Sequence, residues 1–489
     1  MVHVARRLGL AATLAVALVA AGCSTLRPTG AHGAPADDCE RWFEQLDAAV
    51  DAAGVRDAQD ERIAGFAGLR IDRLGVALRE QAAVDDATFA AWLAHAATLD
   101  EVGRTVEIAN LPRTVFPLAE NAPDAAAATA RSSGCRDERV ARWSRAQPGE
   151  RARLLDAAQV PDRYVTSLRA LGLYPLVRWP FFAGVARWQD DHTRAMARWA
   201  ESPPAGLARF VPPAAASTAA PEPPPDALGV PRPTLAQAAR WLGAYAPVFE
   251  IETTGAYDAF GAPRWTSLHT PQVDTAQPVV YQRLAHTRVG GRVLQQLVYT
   301  MWFPERPRDG AFDLLGGALD GVIVRLTLAP DGRVLLMDTI HACGCYHLFF
   351  PAAGVTARPD APTRIEWAFV PGPLPVLGPG ERLVVRIASR THYVSGLARD
   401  DGQPGRTYAL QPEDDLRRLP APDGVTRSLY GPDGLVAGSE RNERFLFWPM
   451  GIVSAGAMRQ WGHHATAFVG RRHFDDADLL DRRFDFALP

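Results

Sequence analysis

The chain has 489 residues, a net charge of −3, and 47% apolar against 22% charged residues. That balance excludes disorder along the whole length, permits a large buried core, and gives no electrostatic reason to expect nucleic acid as a partner. All 52 basic residues are arginine, so chemistry that needs a lysine of this chain is excluded: a Walker A loop, or a Schiff base to pyridoxal phosphate.

The first elements are those of export. Arg6 and Arg7 precede an apolar run from Leu8 to Val19, too short to cross a bilayer comfortably, and Ala20-Ala21-Gly22 leads to Cys23. This segment resembles a bacterial lipoprotein signal with its lipobox, with Ala20 where leucine is usual. The resemblance implies cleavage before Cys23, acylation of that cysteine and attachment to a membrane by lipid. Ser24 rather than aspartate follows, which implies the outer membrane, facing the periplasm, in a Gram-negative cell. No later run is long and apolar enough for a transmembrane helix.

Residues 23–36 are small and Pro/Gly-rich and read as a tether. The stretch 37–202 reads as an all-α domain. Asp37 and Asp38 cap a helix whose apolar face is Trp42, Phe43, Leu46 and Val50, with Gly54 as its stop. Asp85 and Asp86 open another, with Phe89, Trp92, Leu93 and Ala96 on one face, Val140 and Trp143 sit at helical spacing, and Pro161-Asp162 starts a further one through Tyr164, Val165 and Leu168. Leu171 to Trp188 is dense in aromatics and arginine. A place on a membrane surface is one reading, but Pro175 and Pro180 argue against a long amphipathic helix, and a buried core segment is the preferred expectation.

Residues 203–233 are Pro/Ala-rich and read as a linker. The remainder, 234–489, reads as a mostly antiparallel β-rich domain after one short helix at 234–245. Its strand candidates are VFEIET, PVVYQRLAHTRV, VLQQLVYTMWF, GVIVRLTL, RVLLMDTIH, RIEWAFV and RLVVRIASRTHYV, with Asp331-Gly332 as a hairpin turn. The fold class expected is therefore α+β. Glu305 and Arg306 read as an ordinary ion pair.

Eight of the 12 histidines follow residue 260, and one segment stands out: His341, Cys343, Cys345 and His347 alternate. Imidazole and thiolate are ligands that zinc and copper prefer. On a straight strand His341 and His347 stand about 20 Å apart, so one ion cannot collect both unless the chain folds back at Gly344. His392, His463, His464 and His473 are auxiliary candidates. The alternative is a strained Cys343–Cys345 disulfide, as a staple or as thiol–disulfide redox chemistry. Cys39 and Cys135 are expected to form a structural disulfide. The sequence thus points to a lipid-anchored envelope protein that binds zinc or copper. The competing reading is a non-enzymatic structural protein that holds an envelope partner. No substrate or reaction follows.

Overall fold

The computed structural model describes residues 37–214, 224–267, 270–310, 312–359, 365–378 and 380–487. The signal segment, Cys23, the tether to residue 36 and His269 lie outside the described residues. Helix α1 spans Asp38–Ala53. The Asp37 side chain accepts from the Glu40 N–H at 2.8 Å, and Gly54 ends the helix at φ 67°. Helix α2, Asp86–Asn110, opens on a reciprocal cap between Asp85 and Thr88. It buries Phe89, Trp92, Leu93 and Ala96, the face expected of it. Helix α3, Ala125–Ser144, carries Cys135, which is disulfide-bonded, as is Cys39. A short helix, Thr166–Leu171, begins two residues after Tyr164, whose backbone bridges to Ile452 instead.

Helix α4, Tyr174–Glu201, corrects the expectation for 171–188. Pro175 falls in its first turn, where a missing N–H costs nothing. Pro180 sits inside the helix, where it deprives the Leu176 carbonyl of its donor in a turn open to water. The helix is amphipathic and half exposed rather than buried: Leu173, Leu176 and Trp179 face outward.

The strands of the two larger sheets, in chain order, are β1 (Ala208–Val211), β2 (Val248–Ile251), β3 (Val279–Val289), β4 (Arg292–Arg306), β5 (Gly317–Leu328), β6 (Val334–His341), β7 (Leu348–Pro351), β8 (Leu383–Ile387), β9 (Val394–Arg399), β10 (Arg406–Thr407) and β11 (Ala409–Pro412). One sheet has the order β7-β6-β5-β4-β3-β11, antiparallel except where β11 meets β3. The other has the order β9-β8-β2-β1-β10, with parallel pairs at β8–β2 and β10–β1. The architecture is α+β, with helices toward the N-terminus and mostly antiparallel strands toward the C-terminus. The Asp331-Gly332 turn joins β5 to β6, with Gly332 at φ 86°.

Two strand expectations change. The segment expected as a linker, 203–233, supplies β1 to the second sheet. The described part of RIEWAFV, residues 365–370, makes only an isolated bridge, Phe369 with Leu348. The Glu366 carboxylate accepts from the Phe468 and Val469 N–H groups at 2.7 and 2.8 Å, and the Trp367 indole donates to the Arg358 carbonyl, so the segment is tied to loops.

Residues Trp42–Pro489 form one unit and Met1–Arg41 another. Within the larger unit helices and strands share core. Trp92 and Leu154 cluster with Val293 and Ala477, and Arg417 pairs with Asp57 at 2.5 Å with both side chains buried. No helix among the described residues is long and apolar enough to cross a membrane.

Candidate functional site

Strand β6 ends at His341, and the chain then turns rather than running on extended. Gly344 takes φ 89°, its N–H donates to the His341 carbonyl at 2.7 Å, and the His341 N–H donates to the Cys345 carbonyl at 3.0 Å. A Cβ at this position would lie 2.7 Å from the Ala465 carbonyl oxygen, so glycine is needed for both angle and space. The fold-back brings the cysteines together: the Cys345 N–H points at Cys343 Sγ, 3.4 Å away. Both are free thiols, Cys343 buried and Cys345 half-buried.

The two thiols lie on the wall of a cavity of about 570 Å³. The inner face of α4 supplies Phe181, Val185 and Trp188 to the lining, and Phe447 and Phe468 join them. Phe181, Phe447 and Phe468 meet as an aromatic trio with centroids 4.9 to 6.4 Å apart. The lining also carries polar groups, among them Glu366, His347, Arg472 and Glu443, and Glu443 stands apart from the others. It is 96% buried, and its carboxyl has no hydrogen-bond partner or ion pair among the described residues. Burial pushes it up to about 7, against the pull of Arg306, Arg441 and Arg459. The Cys345 thiol is held well above its usual range by its hydrogen bond to Cys343, by burial and by the nearby Glu443 charge. At neutral pH the Cys345 thiol therefore keeps its proton until something displaces it.

Behind Cys343 lies a small second cavity, bounded by Arg306, Asp320, His341, Tyr346, Arg441 and Glu443. His341 Nδ1 is 3.5 Å from Asp320, while its Nε2 has no hydrogen-bond partner among the described residues; burial lowers its pKa. Asp320 also holds His392 Nδ1 at 2.8 Å, and His392 Nε2 stands 3.6 Å from Asp258. Arg306 donates to the Tyr393 hydroxyl at 3.2 Å and does not pair with Glu305.

Of the four alternating residues the structure brings two together. His347 turns away from the thiols: Nε2 meets Asp338 at 2.8 Å, Nδ1 meets Thr466 at 3.2 Å, and burial drives its pKa down to about 3. Of the auxiliary histidines, His464 keeps a buried Nε2 with no hydrogen-bond partner among the described residues, and the other three are held by partners of their own. His463 Nε2 contacts the Ala58 carbonyl at 2.7 Å, His464 is buried against the Ala342 backbone, and His473 lies between Asp162 and Asp476. His392 belongs to the carboxylate chain just described. No group of three or more His, Cys, Asp or Glu side chains suited to a metal ion occurs among the described residues. Among the described residues the two thiols are thus not joined by the further donors of a tetrahedral zinc site, and two adjacent thiols in a largely apolar wall suit a soft ion of low coordination number, such as copper(I).

Glu443 and Asp320 carried no sequence signal that would single them out. The helix that walls the cavity was visible as an aromatic run but was expected to be core. No family model, curated protein or solved structure matches the chain.

Proposed function

We propose that this is a lipid-anchored envelope protein that binds copper(I) through Cys343 and Cys345 on the wall of its apolar cavity. The observation that carries this reading is the pair of free thiols, adjacent through the Gly344 turn and open to the cavity. Thiolate sulfur selects soft cations, and the apolar wall keeps out the water that competes for the ion. Binding displaces thiol protons, and Glu443, which titrates near neutrality beside the pair, is the group placed to receive one. Cys23 provides the membrane attachment, with the outer membrane as its site in a Gram-negative cell. The test is anaerobic titration with copper(I) against a chromophoric chelator. One ion per chain is expected, and it is lost when Cys343 and Cys345 are both replaced by serine. Equal uptake by that variant removes the reading.

Thiol–disulfide exchange is the second reading, favoured by the 3.4 Å approach of the Cys345 N–H to Cys343 Sγ. Closing the bond releases two electrons and two protons to an acceptor. A redox titration that finds no disulfide in the Cys343–Cys345 pair at any potential excludes it.

A further inference from the structure

Most of the large apolar side chains exposed on the described surface fall in two short segments. Leu171, Leu173, Leu176 and Trp179 occupy the first, at the start of α4, and are 40 to 67% exposed. Phe445, Leu446, Trp448 and Val453 occupy the second, at 38 to 68%. The two segments are neighbours. The Arg169 guanidinium donates to the Met450 carbonyl at 2.8 Å, and a Cβ on Gly172 would strike Pro449. They also border the cavity, for the next turns of α4 (Pro180, Phe181, Gly184) and Leu446 and Phe447 line it. The exposed apolar collar and the cavity wall are thus one continuous surface. Two arginines flank the collar over its rings: Arg178 lies 4.7 Å from the Trp179 centroid and Arg444 the same distance from Phe445. Leu, Trp and Phe on one side with arginine beside them is the composition of a segment that lies in a bilayer interface.

A water-soluble surface rarely keeps so contiguous an apolar patch without a partner. The length of chain ahead of the structure indicates which partner. Thirteen residues, Ser24 to Ala36, separate Cys23 from the first described residue, and fully extended they reach at most about 45 Å, so a lipid on Cys23 keeps the protein close to a membrane surface. We infer that the collar docks on the bilayer and that the cavity behind it takes up the acyl chain of a membrane lipid. A volume of about 570 Å³ falls in the range of sites that enclose most of a small ligand, roughly 300–1,000 Å³. The inference rests on the anchor reading for the nearness of the bilayer, and not on the metal.

The test uses the mature lipoprotein reconstituted in phosphatidylcholine vesicles, with acyl chains either plain or brominated. Bromine quenches tryptophan only on contact. Brominated vesicles are expected to quench the protein's emission. The W179F/W448F variant should lose the collar's share, and adding W188F should remove the share from within the cavity. Full quenching in the triple variant, or none in the wild type, overturns the inference. Quenching that disappears with Trp179 and Trp448 alone overturns lipid entry and supports docking only. Flotation separates the two premises: a protein that does not float with vesicles lacks the anchor, whereas one that floats unquenched has the anchor and no docked collar.

Discussion

Replacing Gly344 with alanine perturbs the turn on which the thiol pair depends. Two costs are readable from the geometry. The first is the backbone angle: φ 89° lies where an L-residue sets its Cβ against its own carbonyl, at roughly 1–2 kcal/mol. The second is contact. The new methyl would sit 2.7 Å from the Ala465 carbonyl oxygen, a backbone atom in a stretch fixed by the Ala465 to His473 bridge. Forcing an atom into such a space costs about 1–3 kcal/mol. The sum is roughly 2–5 kcal/mol of lost stability. Gly134, exposed within α3 with nothing near its virtual Cβ, is the control, and alanine there should stabilise by about 0.5–1 kcal/mol through helix propensity. Urea unfolding followed by circular dichroism, with the Cys39–Cys135 disulfide kept oxidised, measures both. A loss below about 0.5 kcal/mol for Gly344→Ala would refute the reasoning, because neither the angle nor the contact would then be real.

Three further predictions concern charge and cross-links. Glu443 titrates near 7 when folded and near 4.5 when unfolded, so the native state holds a proton that the unfolded chain has lost, and stability falls as pH rises through that window. Glu443→Gln should lower that slope by up to about 1.4 kcal/mol per pH unit without abolishing it, because buried Asp60 is pushed up to about 7 in the same way; denaturation at pH 5, 6 and 7 reads it. Asp338→Ala should cost about 3–5 kcal/mol by leaving buried Arg325 without its carboxylate, and Arg325→Met in the same chain should recover part of the loss; a double variant no better than the single contradicts this. Replacing Cys39 and Cys135 with serine opens a loop of roughly 100 residues and should cost about 2–5 kcal/mol, visible as a lower Tm.

Local signals were legible where one segment decides its own structure. Asp85 and Thr88 announce the start of α2 whatever lies around it, and Asp331-Gly332 makes its own turn. The alternation of Phe89, Trp92 and Leu93 marks a buried face for the same reason. Placement was not legible where distant partners decide. His347 looked like a ligand because its spacing matched the cysteines, yet its position is set by Asp338, which β-sheet register places directly opposite Arg325. His392 is likewise held by Asp320 and Asp258, both far away in sequence. The prolines of α4 read as helix breakers, but Pro175 opens the helix, where no N–H is needed, and the carbonyl that Pro180 leaves without a donor lies in a turn that water can reach. Glu443 is unremarkable in a run of polar residues; only the closing of its loop over the cavity leaves it buried without a partner.

The most direct test of the central claim is metal content measured together with free thiols, on mature protein purified from the envelope without chelator and without an added histidine tag. The account predicts close to one copper per chain, with the Cys343 and Cys345 thiols titratable only after the metal is removed. Two thiols titratable at once with no metal, or no thiols and no metal, would contradict it.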